Sequence, residues 1–249
     1  MKKLPILFLL LPVLLLAPAL APASSEGPCG AVQCDRVKVD LNDKPSLQNG
    51  ARIFVNYCLS CHSASYMRYN RMGQDLGISE ELITENLLFA ADKIGDLMKA
   101  VMPKEDAKDW FGTAPPDLTL EARARSPEWI YTYLRSFYRD NKSPSGWNNT
   151  VFPNVAMPHV LYEWQGHQRA VFKTEKGMAH FEKFELERPG TLSPKEYDKA
   201  MRDLTNFMVY LGEPAKLERT QLGVYVLIFL LVFLVLAYLL KKAYWKDIH

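Results

Sequence analysis

The five consecutive residues Cys58-Leu59-Ser60-Cys61-His62 constrain this 249-residue chain more than any other feature. Two thiols separated by two residues and followed directly by an imidazole make C-x-x-C-H, the covalent attachment signature of a c-type haem. Each thiol can form a thioether to one haem vinyl group, and the histidine is then carried beneath the iron as its proximal ligand. A zinc half-site would need a second ligand pair of similar spacing, whereas the only other cysteines, Cys29 and Cys34, are spaced C-x4-C in a Pro- and Gly-containing lead-in. A thioredoxin-like dithiol would need a βαβ context, and the residues ahead of Cys58 do not read as a strand. The motif therefore predicts one covalently attached haem c on Cys58 and Cys61, with His62 as a metal ligand.

Covalent haem of this kind requires export in bacteria, so the two ends of the chain are an independent test. Met1-Lys2-Lys3 is a short positive start, followed by an apolar run from Leu4 to Leu16 and by the small residues of Ala21-Pro22-Ala23. This is the pattern of a secretory signal peptide over residues 1–23, with Ser24 as the first mature residue. The run is short for a membrane span and lacks the Arg- and Ser-rich amphipathic character of a mitochondrial presequence; a retained N-terminal anchor is the alternative. No lipobox precedes Cys29, which follows Glu26-Gly27-Pro28.

The second apolar run, Gln221 to Leu240, contains no charged residue and predicts a transmembrane helix over residues 220–241. Twenty residues at helical rise match the ~30 Å hydrocarbon core of a bilayer. Tyr225, Tyr238, Tyr244 and Trp245 are spaced to sit near the two interfaces. Lys241, Lys242 and Lys246 place residues 242–249 in the cytoplasm by the positive-inside rule, and hence residues 24–219 in the periplasm, on the outer side of a bacterial inner membrane. A buried core helix at the chain end is the plainer alternative.

Residues 24–219 are enough for one domain with a real core. The whole chain carries a formal charge of only +2, and Lys2, Lys3, Lys241, Lys242 and Lys246 all lie outside that segment. No strong field is left to recruit nucleic acid. In an oxidising compartment Cys29 and Cys34 can form a small-loop disulfide or remain an unpaired pair.

The segment reads as mainly α. From Ser46, Leu47, Gly50, Ile53, Phe54 and Tyr57 recur at three- and four-residue spacing and run into the haem motif. Leu82 to Met102 forms a second amphipathic stretch, ended by Pro103. Pro127 opens another, with Trp129, Ile130, Tyr133, Leu134 and Phe137 on one side. Residues 140–169, with Pro144, Gly146, Pro153 and Pro158, read as loop, and Gly166 to Leu186 is open between a hairpin and irregular chain. Ser193-Pro194-Lys195-Glu196 supplies an N-cap, a Pro at N1 and a Glu at N3, and the helix continues to Gly212 as C-cap.

An iron with one protein ligand is either an open binding centre or awaits a second axial group. Thioether sulfur is soft and raises the potential. Met157 stands out, because Phe152-Pro153-Asn154-Val155-Ala156-Met157-Pro158 is a Pro-bracketed apolar loop whose fixed φ angles can hold a sulfur over a haem face. His159 is its rival two residues on, and an ordinary core methionine is the bland reading. His167 and His180 lie in polar surroundings, and His249 is the terminal residue.

Gly50-Ala51-Arg52-Ile53-Phe54-Val55-Asn56-Tyr57 before the haem motif resembles the N-terminal helix of class I cytochromes c, and Asp203 to Leu211 resembles its C-terminal partner. The full plan is similar to the cytochrome c1 family, the haem c subunits of cytochrome bc1 complexes. The echoes are Cys61-His62-Ser63 with Tyr66, Arg68 and Tyr69, Ala114-Pro115-Pro116-Asp117-Leu118-Thr119, Arg123-Ala124-Arg125, the Met157 loop, and Leu211-Gly212-Glu213-Pro214 before the anchor. This resemblance covers most of the exported segment. Trp110-Phe111-Gly112-Thr113 departs from the Asn-rich stretch of the family, and no single acidic run marks a docking face.

The resemblance implies a class I cytochrome c-like domain with insertions plus one C-terminal transmembrane helix. It implies Met157 as sixth ligand, Arg125 as a haem propionate partner with Arg123 as second candidate, and Pro115 and Pro116 against the haem edge. It also implies an electron-transfer subunit of a quinol–cytochrome c reductase, passing one electron from a Rieske iron–sulfur protein to soluble cytochrome c beside a cytochrome b subunit. The chain itself would perform no bond chemistry. A free-standing membrane-anchored cytochrome c feeding a terminal oxidase, or a haem enzyme or gas sensor with an open sixth site, would share the attachment motif.

Overall fold

The chain enters through a small antiparallel ribbon, β1 (Pro28–Cys29) and β2 (Val32–Gln33), closed by a disulfide between Cys29 and Cys34. The computed structural model describes residues 28–29, 32–175 and 178–246, so the signal peptide expected over residues 1–23 lies outside the described residues. The disulfide settles the open state of the two cysteines. The ribbon is tied down just beyond it, where the Asp35 N–H donates to Thr132 Oγ1 at 2.8 Å and the Asp35 carboxylate pairs with Arg135.

Helix α1 (Lys44–Ile53) starts where Asp43 accepts a hydrogen bond from the Ser46 N–H at 3.1 Å, capping one of the free donors of the first turn. It continues as a five-residue π-helical segment, Phe54–Cys58, that delivers the C-x-x-C-H motif. Single-turn π segments of this kind are rare and cluster at functional sites.

Strand β3 (Ala64–Arg68) leaves the motif and pairs antiparallel with β4 (Leu97–Met98); between them lie α2 (Tyr69–Leu76) and α3 (Glu80–Asn86), the latter capped by Ser79. The amphipathic stretch expected from Leu82 to Met102 is thus helical only as far as Asn86. Beyond it the chain turns at Asp96, whose carboxylate accepts the Lys93 N–H at 2.9 Å. Leu87 and Met98 are buried from irregular and extended chain. Their helical spacing reported burial, and Gly95 offers no propensity to convert that into a helix.

Helix α4 (Lys104–Phe111), the short α5 (Glu121–Ala124) and α6 (Pro127–Arg135) follow. Ser126 caps α6 through the Trp129 N–H at 3.2 Å. The helix opened by Pro127 ends at Arg135, so Phe137, expected on its face, falls in strand β5 (Phe137–Arg139); the stretch expected to be loop, residues 140–169, holds its partner β6 (Trp147–Asn149) and one helical turn, α7 (Tyr162–Gln165). The undecided region after it is a long antiparallel hairpin, β7 (Gly166–Glu175) with β8 (Met178–Pro189).

Helix α8 (Pro194–Gly212) opens with a complete capping box between Ser193 and Glu196. Gly212, expected as a left-handed cap, is instead the last helical residue, and the chain breaks at Glu213 (φ −157°). Its missing side chain makes room for Arg123, whose Cγ would lie 3.1 Å from a Cβ there. Helices α1 and α8 cross at the centre of the core. A Cβ on Gly50 would stand 2.1 Å from the Asp203 carbonyl oxygen and 2.6 Å from Phe207 Cβ, so only glycine permits this approach. Phe54 and Phe207 meet beside it, with ring centroids 5.6 Å apart.

After Glu213 to Ala215 the chain continues into α9 (Lys216–Tyr244), 29 residues long and buried nowhere. Among the described residues it is the one helix long and apolar enough to cross a membrane. It extends the expected span by polar turns at both ends. The architecture is mainly α, about 49% helical, with the strands confined to two-stranded ribbons.

Candidate functional site

Cys58 ends the π-helical segment, and the turn after it is closed by two bonds onto its own carbonyl, from the Cys61 N–H at 3.1 Å and the His62 N–H at 2.8 Å. That turn gathers both thiols and the imidazole. Neither Cys58 nor Cys61 is in a disulfide. Burial, with the neighbouring Cys61 adding to it, pushes the Cys58 thiol up to about 12, so it is held protonated.

His62 is buried, and its Nδ1 lies 2.8 Å from the carbonyl oxygen of Pro116. A carbonyl only accepts, so Nδ1 carries the proton and the Nε2 lone pair is left for a metal. Desolvation lowers the His62 pKa, against the Pro116 carbonyl and the charges of Glu121 and Asp117, which raise it. The neutral imidazole is the ligating form.

Three backbone-directed bonds hold the surrounding chain to the motif. The Leu118 N–H reaches the Ser63 carbonyl at 2.8 Å, the Ala100 N–H reaches Ser63 Oγ at 2.8 Å, and the Met102 N–H reaches the Ser60 carbonyl at 3.2 Å. Asp117 locks the Pro-Pro-Asp turn, accepting from the Ser65 N–H and the Thr119 N–H, each at 2.9 Å. Burial opposes its ionisation, but these bonds outweigh it and its pKa falls below the ordinary value. Pro116, expected against the haem edge, presents its backbone carbonyl to the His62 imidazole.

Arg125 and Met157 belong to a second group. The Arg125 guanidinium bonds Glu121 through Nε at 2.9 Å and lies over the Trp129 ring at 4.5 Å from its centroid. Trp129 stacks on Tyr133 at 5.0 Å with an interplanar angle of 10°. The Tyr133 hydroxyl donates to Met157 Sδ at 3.3 Å. Glu121, whose charge acts on His62 and whose carboxylate holds Arg125, links the two groups across the single turn of α5.

The Met157 loop is clamped by two buried asparagines that sequence inspection passed over as loop residues. Asn149 Oδ1 accepts the N–H groups of Val151 and Phe152 at 2.8 and 3.2 Å, while its Nδ2 donates to the Tyr133 carbonyl at 2.9 Å. Asn148 Oδ1 accepts the Asn154 N–H at 2.8 Å, and Asn154 itself sits at φ +60°. The repeated Asn in Trp147-Asn148-Asn149-Thr150 was the available signal, since adjacent asparagines favour side-chain-to-backbone turns.

His159, the rival ligand, is face to face with Phe137 at 4.8 Å and edge-on to Trp147 at 5.0 Å. Burial pushes its pKa down to about 3, so the ring is a neutral member of an aromatic cluster. Arg123, the second candidate for a propionate, packs against Gly212.

The donor set fits a covalent haem. Two thiols free of disulfide stand beside an imidazole whose tautomer leaves Nε2 available, and a thioether sulfur is held by a hydroxyl and a clamped loop. Among the described residues there is no group of three or more His, Cys, Asp or Glu arranged for a bare metal ion.

A Cytochrome C1 family model matches residues 37–179 and 188–248. Cytochrome c1 of Allochromatium vinosum is 52% identical over 239 residues, 95% of this chain and 96% of that protein. The ammonia monooxygenase gamma subunit of Nitrosomonas europaea is 50% identical over 242 residues, 97% of this chain and 98% of that protein. Cytochrome c1 of Rhodospirillum rubrum is 29% identical over 233 residues, 83% of each.

Proposed function

The chain belongs to the cytochrome c1 family, and from that premise we propose that it is the haem-bearing electron-transfer subunit of a quinol–cytochrome c reductase. Members of the family carry covalently bound haem c and serve electron transport in respiratory chains as membrane-anchored subunits. Haem supplies a one-electron couple, and the protein supplies attachment, axial ligation and shielding. Cys58 and Cys61 would hold the haem through two thioethers, His62 and Met157 would ligate its iron, Arg125 would hold a propionate, and Pro116 would pack at the haem edge while its carbonyl orients His62. The observation that carries this is the contact between His62 Nδ1 and the Pro116 carbonyl at 2.8 Å, which fixes the ligating nitrogen directly after two free thiols.

In this reading the α1–α8 crossing at Gly50 is that of a class I cytochrome c. Residues 1–23 direct export, residues 24–219 form the periplasmic domain, α9 anchors it in a bacterial inner membrane, and the lysines after it face the cytoplasm. Held by these residues, the haem would supply the one-electron couple between a Rieske iron–sulfur partner and soluble cytochrome c, with cytochrome b beside the chain in the membrane. The anchor keeps the haem at a high effective concentration near its donor.

The test is a gentle detergent purification of the tagged full chain, with haem staining and identification of what accompanies it. Cytochrome b and the Rieske protein are expected. A terminal oxidase, or a monooxygenase as the name of the Nitrosomonas relative suggests, would overturn the assignment. For the ligands, the weak far-red charge-transfer band of thioether-bound ferric haem is expected in the native protein and lost in Met157→Leu. Ready binding of carbon monoxide by the native ferrous protein would instead mean an open sixth site.

A further inference from the structure

Among the described residues outside α9, the most exposed large apolar side chains are Tyr66, Val101 and Trp110, at 76, 67 and 65%. Val101 and Trp110 stand on one short piece of chain beside the attachment motif. The Ala100 N–H bonds Ser63 Oγ at 2.8 Å and the Met102 N–H bonds the Ser60 carbonyl at 3.2 Å, which holds Val101 against the motif's own turn. Ser60 is exposed and Cys61 half-exposed, so on this side the turn reaches the surface. Pro103 then starts α4, about 12 Å long, whose one buried residue is Ala107. Trp110 comes three positions after Ala107, at the margin of the face by which the helix rests on the domain. It falls where the sequence departs from the Asn-rich stretch of the family.

The charges around these two residues favour neither sign. Lys99, Lys104 and Lys108 are interspersed with Glu105, Asp106 and Asp109, and all six are exposed. Such a rim gives no field to recruit a strongly charged protein or an anionic lipid surface. What it leaves to be recognised is the apolar pair inside it. Contacts between redox partners are small and short-lived, because the partners must part again after one electron. A donor tethered in the same membrane is kept close by its anchor. A soluble acceptor has no such help and must find a patch beside the redox group, where a tryptophan is the commonest kind of anchor.

We propose that Val101 and Trp110 form the docking surface for the soluble electron acceptor, a protein with apolar surface around its own redox edge, and that the recognition is apolar and not electrostatic. This rests on the chain being an electron-transfer subunit. It places the acceptor on the side where Cys61 reaches the surface, next to the thioether edge of the haem site.

The experiment is steady-state reduction of a soluble c-type cytochrome, isolated from the same cells, by the detergent-purified complex. Native chain is compared with Trp110→Ala and, should that variant fold poorly, with Val101→Ser. The expected result is a KM for the cytochrome raised about five- to thirtyfold by Trp110→Ala, the range of an aromatic hot spot, with kcat and the haem spectrum little changed. The native KM should vary by less than about threefold between ~10 and ~200 mM salt, a range over which a charge-steered pair loses much of its roughly ten- to thousandfold rate advantage. Phe89→Ala, which removes a ring 62% exposed on the loop after α3, should leave KM unchanged. A KM unmoved in both patch variants, or raised equally by Phe89→Ala, overturns the docking surface and leaves electron transfer standing. A steep salt dependence overturns apolar recognition. A Trp110→Ala complex that loses a subunit on purification shows that a resident protein covers the patch, which also overturns the proposal. A native complex that reduces no soluble cytochrome overturns the reading of the chain, and this proposal with it.

Discussion

A side-chain carbon on Gly50 would fall 2.1 Å from the carbonyl oxygen of Asp203, so the crossing of α1 and α8 is closed to every residue but glycine. The obstacle is backbone, which cannot rotate away. Gly50→Ala should therefore push the two helices apart and destabilise the domain by about 1–3 kcal/mol or more, the usual range for overpacking. Thermal denaturation of the detergent-solubilised holoprotein should show a lowered midpoint; an unchanged midpoint would mean that the helices cross elsewhere.

Asp203 is itself nearly inaccessible, its side chain 1% exposed, and accepts from Ser46 Oγ at 2.8 Å and Asn49 Nδ2 at 2.9 Å, with Lys199 and Arg202 at 3.3 and 3.2 Å. Burial works against its charge, but the hydrogen bonds and cations prevail and its pKa is lowered in the folded state. A lowered folded pKa means stability that is fully present above the unfolded value, about 3.9, and lost as pH falls through the folded value. Asp203→Asn should cost about 1.5–3 kcal/mol near neutrality and flatten the acid limb of the stability curve below about pH 4. Chemical denaturation of native and variant protein at several pH values measures both; parallel acid limbs would rule out Asp203 as the titrating group.

The clamp on the Met157 loop predicts a local failure. Asn149→Ala removes the acceptor for two N–H groups and the donor to the Tyr133 carbonyl. Each buried group left unpaired costs about 1–3 kcal/mol. On heating, the variant should lose its far-red band well before the helical signal in circular dichroism falls. Simultaneous loss, as in the native protein, would show that the loop is held by something else.

Attachment can be read one bond at a time. Cys61→Ala should leave a single thioether at Cys58, keeping haem on the chain through denaturing electrophoresis while shifting the α-band of the reduced spectrum to longer wavelength, as one vinyl group rejoins the conjugation. Replacing both cysteines should release the haem on denaturation.

Much of this was legible in the chain because it is encoded locally. The cap of Ser193 and Glu196, the Pro at the start of α6 and the uncharged run inside α9 are all contiguous signals, and each is found where its residues stand. The resemblance of residues 50–57 and 203–211 to the two terminal helices of a class I cytochrome c marked these segments as partners, and α1 and α8 do cross. What was not legible depends on residues far apart in sequence. Leu87 and Met98 fit a helical spacing but are buried from irregular and extended chain, Met98 on the strand that pairs with β3, because burial alone repeats like a helix over a short window. Asn148 and Asn149 gain their meaning only from the backbone groups they reach. The approach of Tyr133 to Met157 spans 24 positions, and no periodicity carries it.

Between the end of α8 at Gly212 and the start of α9 at Lys216 the chain has only Glu213, Pro214 and Ala215, with an Arg219–Glu213 ion pair across the joint at 2.5 Å. Three residues span at most about 10 Å even when fully extended, and proline stiffens one of them. A domain on so short a stalk cannot swing between a donor and an acceptor that sit apart. In the proposed reading, any distance the electron's route must bridge would therefore be travelled by the partner proteins and not by this domain.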